Sequence, residues 1–144
     1  MKVLYTARVT VTGGRNGRGR SDDGKIDLTL TPPPSLGGPS ERGEGTNPEE
    51  LFALGYAACF LSAVEALARR RRIPVTTFSV SSAVSIGRED DRGYALAVDL
   101  HANLPGVEDE IARELLRGAH ETCPYSKATR GNVEVALFLG DAAV

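Results

Sequence analysis

Sulfur is scarce in this chain of 144 residues, which contains two cysteines and one methionine. Two cysteines form at most one disulfide, so a small scaffold held by several disulfides is excluded. Histidine is equally scarce, with two residues, and zinc sites usually pair short spacings of the C-x₂₋₄-C and H-x₃₋₅-H kind. His120 and Cys123 share one helix face, but neither residue type is spaced in that way. We therefore expect no bound metal and no bound cofactor.

A strong charge of one sign is also lacking. The chain has 17 lysine and arginine residues against 19 aspartate and glutamate residues, a net charge of −2. Nucleic-acid-binding proteins usually carry a basic surplus, so we expect no nucleic-acid partner. The one basic cluster, residues 69–72, ends a predicted helix, where positive charge suits the helix dipole.

Membrane-length apolar runs and export signals are missing as well. The longest apolar stretch covers residues 51–64, whereas a membrane-spanning helix needs about 20 apolar residues. Residues 1–14 alternate like a strand and lack the apolar segment of a signal peptide. Without an export signal, two thiols suggest a reducing compartment, in which a disulfide is more often transient and catalytic than structural. We therefore expect a cytoplasmic protein with no membrane partner.

Hydrophobic periodicity predicts a single α+β domain over residues 1–144. Alternating apolar residues indicate strands, and a 3.6-residue spacing indicates amphipathic helices. Strands interrupted by two helices, without strict alternation, favour an α+β fold with a mainly antiparallel sheet. The first two strands are expected to form a hairpin around the loop 12–25. The predicted elements are strands at 2–12, 26–31, 75–87, 94–104 and 132–140, and helices at 47–72 and 105–124.

The start of the first helix is well marked. Asn47 fits the N-cap, Pro48 the first helical position and Glu50 the capping-box position. Further along, the helix is apolar on more than one face, and such a helix must be buried on all sides. The single small sheet of a 144-residue chain cannot cover all faces of this helix. We therefore expect a homodimer with C₂ symmetry, in which two sheets enclose a pair of these helices.

The two cysteines lie in different settings. Cys59 sits within the apolar helix, where burial raises the thiol pKa and leaves a poor nucleophile unless a fixed cation compensates. Arginine suits that task, because its planar group stays charged and can contact a thiolate and an acceptor together. Cys123 ends the second helix, where the dipole disfavours a thiolate, and this suits a resolving thiol that acts second. Core packing of both cysteines and a Cys–His acyl-transfer site with His120 as base stay open.

Three segments carry a specific resemblance to a known family. They read LYTARVTVTGGRNGR near the N-terminus, GTNPEELFALGYAACF at the helix start and HETCPYSKATRGNVEV near the C-terminus. In this order and spacing they resemble, essentially end to end, the organic hydroperoxide resistance proteins, the Ohr subfamily of the OsmC/Ohr family. The chain departs from the usual pattern at Lys127, where asparagine is common, and in the slightly longer loop 32–45.

The resemblance implies an intertwined α/β dimer and a cysteine-based peroxidase that reduces organic hydroperoxides. Cys59 corresponds to the peroxidatic cysteine and Cys123 to the resolving cysteine. Arg15 corresponds to the arginine that holds the thiolate and engages the peroxide, and Glu49 to the carboxylate that orients this arginine. The implied electron donor is the dihydrolipoyl group of a lipoylated protein, rather than a thioredoxin or glutathione.

Apolar residues near Cys59 are expected to bind the alkyl or acyl tail of the substrate. Each buried methylene contributes about 0.8 kcal/mol, and hydrogen peroxide, which has no tail, gains none of it. The candidate substrate contacts are Phe52, Tyr56 and Phe60, for which plain core packing is the competing interpretation.

Helix geometry constrains how these residues can meet. Glu49 and Cys59 lie ten residues apart, which separates them by about 15 Å along a straight helix. Either the helix breaks near Gly55, or Arg15 and Glu49 of one subunit serve Cys59 of the other. We favour the second arrangement, with each active site at the dimer interface.

Three other functions stay open on the sequence alone. An OsmC-type peroxidase with a different peroxide preference is the alternative inside the family. A noncatalytic acyl-binding module would use both cysteines as packing, although a lipid cavity needs no ion pair beside a thiol. A redox sensor would share the disulfide chemistry but needs a partner, and the sequence shows no DNA-binding segment.

Overall fold

The computed structural model describes residues 1–41, 43–90 and 92–144. It confirms the predicted α+β class. The strands are β1 (Val9–Thr12), β2 (Arg18–Ser21), β3 (Asp27–Thr29), β4 (Ser79–Glu89), β5 (Gly93–Asn103), β6 (Glu134–Leu139) and β7 (Ala142–Ala143). The helices are α1 (Pro48–Arg70), α2 (Asp109–Thr122) and α3 (Pro124–Thr129), with short 3-10 turns at Gly14–Asn16 and Pro34–Leu36.

Two compact units make up the chain, Met1–Leu51 and Phe52–Val144. The first unit holds an antiparallel sheet in the order β1-β2-β3. The predicted hairpin is therefore wrong, because β2 lies inside the supposed loop 12–25 and separates the other two strands. Arg18 of β2 pairs with Asp27 of β3, with 2.6 Å between Nε and the carboxylate. Strand β2 is thus held by pairing with a strand on each side and lacks the apolar alternation that marks a strand in sequence.

A mixed four-stranded sheet, in the order β4-β5-β6-β7, forms part of the second unit. Strands β4 and β5 make a long antiparallel hairpin in which Ser79 faces Asn103. Strand β6 runs parallel to β5, with His101 opposite Phe138. A parallel neighbour requires a crossover connection, and here α2 and α3 provide it.

The core of the second unit forms from α1, α2 and the sheet. Helix α1 buries one face at a spacing of four residues: Tyr56, Phe60, Val64 and Ala68. Helix α2 buries Ala112, Leu115, Leu116 and Ala119, and β5 buries Val98, Leu100 and Ala102. This packing brings the middle of α1, which carries Cys59, to the end of α2, which Cys123 follows.

Helix α1 is long and apolar enough to cross a membrane by length and composition alone. Its buried face shows instead that it packs as a core helix of the second unit. Only 22% of its apolar window is buried within this one chain, and Leu54 is 69% exposed. A large apolar surface of α1 is therefore left uncovered by the single chain.

Several element ends differ from the prediction, and β4 and α2 each begin four residues later than expected, at Ser79 and Asp109. Strand β1 begins at Val9 rather than at residue 2. Helix α2 stops at Thr122, and Pro124 opens a further helix, α3, that the sequence prediction lacked. Proline disfavours a helical residue before it and suits the first helical position, so the Cys-Pro step ends one helix and begins the next.

Candidate active site

The two cysteines lie side by side in the second unit. Cys59 is partly buried on α1, Cys123 is fully buried between α2 and α3, and both are free thiols. Their sulfur atoms are 3.6 Å apart. A disulfide bond is about 2.05 Å long, so the two sulfurs would have to approach by about 1.5 Å to form one.

Burial controls the acidity of Cys59. Loss of solvent around the thiol raises its pKa above the ordinary value of 9.0, and the neighbouring Cys123 adds to this rise. The backbone N–H of Tyr125 donates to the sulfur and opposes the rise. This confirms the direction predicted from the apolar helix. Within its own unit, Cys59 is therefore a thiol at neutral pH, and its use as a nucleophile calls for an added positive charge.

Cys123 joins two helices rather than ending one. Its backbone N–H donates to the Ala119 carbonyl at 2.8 Å, which closes the last turn of α2. Its own carbonyl accepts from the Lys127 N–H at 2.9 Å, which opens the first turn of α3. The predicted setting of a simple helix C-terminus is therefore incomplete, because the same residue stands at the start of α3.

Arg15 and Glu49 meet in the first unit as a bidentate ion pair. Arg15 lies in the 3-10 turn after β1, and Glu49 lies in the first turn of α1. The guanidinium donates from Nη1 to Oε2 at 2.9 Å and from Nη2 to Oε1 at 2.7 Å. These hydrogen bonds hold the pKa of Glu49 below its ordinary value, although burial acts in the opposite direction. The Glu49 side chain is 13% exposed and the Arg15 side chain 43%. A mostly buried carboxylate therefore orients a solvent-accessible guanidinium.

A glycine-rich turn fixes the backbone around Arg15. Gly13 has a φ of 75°, in the left-handed region that favours glycine. Gly17 packs so closely that a Cβ on it would lie 1.8 Å from the Thr12 carbonyl oxygen. The GGRNG segment is therefore a shaped support for Arg15 rather than a flexible loop.

Substitution of Gly17 by alanine is expected to open this turn and lower the free energy of unfolding by about 1–3 kcal/mol. Thermal denaturation would measure the loss. Gly19→Ala is the matched control, because a Cβ on Gly19 meets only Val11 at an ordinary 3.6 Å. Equal stability of the two variants would contradict the close packing of the turn.

The three predicted substrate contacts lie in different environments. Tyr56 is 0% exposed and Phe60 is 1% exposed, so neither ring offers surface to a substrate in this conformation. Phe52 is partly buried, and its ring centroid lies 6.0 Å from those of Tyr56 and Tyr125. Tyr125 closes over Gly55, where an added Cβ would lie 2.8 Å from its Oη. Phe52 and the partly exposed Tyr125 are thus the rings through which a tail could be bound.

His120 does not pair with a thiol in the described contacts. Its Nδ1 lies 3.0 Å from Ser126 Oγ, and burial lowers its pKa below the ordinary value of 6.5. The Cys–His acyl-transfer interpretation therefore gains no support from the geometry. No group of three or more potential metal ligands occurs among residues 1–41, 43–90 and 92–144.

Sequence reasoning missed Tyr125, Ser126 and Thr129, which follow Cys123 on α3. Ser126 Oγ lies 2.9 Å from Tyr56 Oη, which also lies 3.3 Å from Thr129 Oγ1. The available signal was the spacing of the two hydroxyl residues, which places them on one face of a helix. It was not usable because α3 itself was not predicted.

Comparisons with known proteins place this chain in a known family. Residues 40–138 match the family described as OsmC-like protein. The chain is 46% identical to the organic hydroperoxide resistance protein of Xanthomonas axonopodis pv. citri, over 96% of each chain. It is also 46% identical to the organic hydroperoxide resistance protein OhrB of Bacillus subtilis, over 95% of this chain and 98% of that protein.

Solved structures give the same answer for the fold. An organic hydroperoxide resistance protein from Legionella pneumophila superposes with a TM-score of 0.90 at 45% identity, covering 96% of this chain and 99% of that one. A second, from Vibrio cholerae with captopril bound in one of its active sites, gives a TM-score of 0.93 at 40% identity, covering 100% and 97%. The protein thus has an OsmC-type α+β fold, and its two cysteines are neighbours. The chain belongs to the OsmC family, and within it to the organic hydroperoxide resistance proteins.

Proposed function

We propose that the protein is a thiol peroxidase that reduces organic hydroperoxides to alcohols. The observation that carries the proposal is the 3.6 Å separation of the two sulfurs, which belong to the only cysteines of the chain. Two core cysteines have no need to be neighbours, whereas a peroxidatic and a resolving cysteine must reach each other. The names of the relatives point to the same substrate class.

The proposed cycle has three balanced steps. The Cys59 thiolate attacks the distal peroxide oxygen, so that an S–O bond forms, the O–O bond breaks, and the leaving alkoxide takes a proton to become the alcohol. The Cys123 thiol then displaces water from the Cys59 sulfenic acid, and a disulfide forms. A dithiol finally reduces the disulfide by exchange and is itself oxidised to a cyclic disulfide. For the last step we propose the dihydrolipoyl group of a lipoylated protein in the cytoplasm.

Arg15, oriented by Glu49, supplies the positive charge that Cys59 requires in this proposal. A fixed guanidinium favours the thiolate and stabilises the charge that develops on the leaving oxygen. The bidentate contact with Glu49 keeps the guanidinium oriented between turnovers. Without this pair, the raised pKa of Cys59 would leave little thiolate at neutral pH.

We propose further that the pair acts across a homodimer. Helix α1 is continuous from Pro48 to Arg70, so the predicted alternative of a break near Gly55 is wrong. The apolar surface of α1 that one chain leaves uncovered, with Leu54 at its most exposed point, is the kind that a second copy buries. Both observations support an active site in which the arginine of one protomer serves the cysteine of its partner.

Mixed dimers test the assignment across protomers. Arg15→Ala and Cys59→Ser are each expected to reduce peroxide at least about a hundredfold more slowly than the wild type as homodimers. Unfolded together and refolded, they should form mixed dimers in which one site combines an intact Cys59 with an intact Arg15, and peroxide reduction should return. An inactive mixture that contains the mixed dimer, verified by mass spectrometry, would show that both residues act within one chain.

Steady-state kinetics test the substrate class. With dihydrolipoamide as reductant, we expect cumene hydroperoxide to be reduced faster than hydrogen peroxide, because about 0.8 kcal/mol per buried methylene favours a substrate with an apolar tail. Equal rates would overturn the assignment to organic hydroperoxides. Absence of any thiol oxidation would favour the acyl-binding module instead.

A further inference from the structure

A buried chain of hydroxyl groups links the helices that carry the two cysteines. Tyr56 Oη on α1 lies 2.9 Å from Ser126 Oγ on α3, and Ser126 Oγ lies 3.0 Å from His120 Nδ1 on α2. Tyr56 Oη also lies 3.3 Å from Thr129 Oγ1, which donates to the Tyr125 carbonyl at 3.0 Å. Tyr56 and Ser126 are 0% exposed and Thr129 is 5% exposed.

The chain of hydroxyls lies one helical turn from each thiol in sequence. Tyr56 precedes Cys59 by three residues on α1, while His120 and Ser126 flank Cys123 by three residues on either side. Residues at this spacing share a helix face. The hydroxyl of Ser126 therefore connects the helix of Cys59 to the two helices that meet at Cys123.

We propose that Ser126 and Tyr56 are positioning residues that hold Cys123 against Cys59 and so determine the fate of the Cys59 sulfenic acid. The inference rests on the proposed peroxidase function. Neither residue reacts. Their hydroxyl contact fixes α3, and with it the Cys-Pro step, at the separation from which the disulfide closes.

Two reactions compete for the sulfenic acid. In the first, the Cys123 thiol attacks sulfur, the S–S bond forms, and the hydroxyl leaves as water with the thiol proton. In the second, another hydroperoxide transfers an oxygen atom, which gives sulfinic acid and a second alcohol and inactivates the enzyme. The first reaction needs the two sulfurs to approach by about 1.5 Å, so looser placement of Cys123 favours the second.

Ser126→Ala removes the central hydroxyl, so His120 Nδ1 loses its contact with Ser126 and Tyr56 Oη keeps only the longer 3.3 Å contact with Thr129. We expect disulfide formation to slow about tenfold, and the sulfinic acid fraction of Cys59 under excess cumene hydroperoxide to rise by a similar factor. Oxidation of Cys59 by the first equivalent of peroxide should keep its rate. Rapid-quench samples analysed by intact-protein mass spectrometry separate the three quantities.

Ser82→Ala is the matched control. The Ser82 hydroxyl is buried on β4 but has no hydrogen-bond partner among the described residues, so its loss should leave the partition between disulfide and sulfinic acid unchanged. Tyr56→Phe provides a second variant, which keeps the buried ring and removes only its hydroxyl. It should also raise the sulfinic acid fraction, and the effect of the double variant should be smaller than the sum of the two single effects, because both changes break the shared contact between Tyr56 and Ser126.

The outcomes separate the inference from the function on which it rests. If the wild-type protein forms the disulfide, and both variants form it at the wild-type rate while only their thermal stability falls, the hydroxyls are core packing and the inference is wrong. If the wild-type protein itself keeps both thiols, the proposed function fails. If Ser126→Ala does not fold, Tyr56→Phe decides the question by the same ratio of disulfide to sulfinic acid.

Discussion

Replacement of Cys59 by serine is expected to lower the rate of organic hydroperoxide reduction by about a thousandfold or more, because a neutral hydroxyl is a far weaker nucleophile than a thiolate. The change is nearly isosteric, so the fold should survive. Stopped-flow measurement of cumene hydroperoxide consumption with dihydrolipoamide would give the rate. Circular dichroism of the same sample would show whether the α+β structure is retained.

Cys123→Ser is the control that separates the two thiols. It should retain rapid consumption of one equivalent of peroxide, since Cys59 remains, but it should stop at the sulfenic acid or proceed to sulfinic acid. If Cys123→Ser loses the first reaction and Cys59→Ser keeps it, the two assigned roles are reversed.

Replacement of Arg15 by alanine is expected to lower the peroxide reduction rate by about a hundredfold, the loss typical when one fixed donor to a developing charge is removed. The physical reason lies in the acidity of Cys59. Burial and the neighbouring Cys123 raise the pKa of this thiol, and a nearby cation lowers it. The alkylation rate of Cys59 by iodoacetamide in a Cys123→Ser background, measured against pH, would report the thiolate fraction.

The sign of the expected shift is definite. The alkylation rate increases with pH as the thiolate forms. With Arg15 intact, the midpoint of this increase should lie at a lower pH than in Arg15→Ala, because the variant has lost the cation that favours the thiolate. Arg18→Ala is the matched control, because Arg18 lies on β2 and pairs with Asp27 rather than with Glu49. Identical pH profiles for all three proteins would contradict the role assigned to Arg15.

The parts of the fold that follow from local chemistry could be predicted from sequence. Asn47 caps α1 as expected, since its Oδ1 accepts from the Glu50 N–H at 2.9 Å. The Glu50 carboxylate accepts from the Thr46 hydroxyl at 2.7 Å, a contact that the capping-box pattern does not predict. Strands β4 and β5 and helix α2 also carry clear periodic patterns, and they lie close to their predicted positions.

Elements held by non-local pairing could not be predicted in this way. Strand β2 reads RGRS and is held by backbone pairing with β1 and β3, so it shows no apolar alternation. Helix α3 is six residues long, too short to display a period. The parallel register of β6 beside β5 depends on the crossover and not on either strand's own sequence.

The site shows the same division. The raised pKa of Cys59 follows from an apolar helix and needed no structure. The contact of Cys59 with Cys123 could not be derived from sequence spacing, because 64 residues separate them along the chain while their sulfurs lie 3.6 Å apart. Tyr56 and Phe60 are predicted as substrate contacts because they flank Cys59 in sequence. In the structure both lie on the buried face of α1 and pack into the core.

The central claim, that Cys59 and Cys123 form one redox pair, is tested most directly by a thiol count. The fully reduced protein would receive one equivalent of cumene hydroperoxide, followed by thiol titration and peptide mass mapping. The proposed cycle predicts the loss of both thiols of the chain and a single cross-linked peptide that contains Cys59 and Cys123. Survival of both thiols, or oxidation of Cys59 without the cross-link, would contradict it.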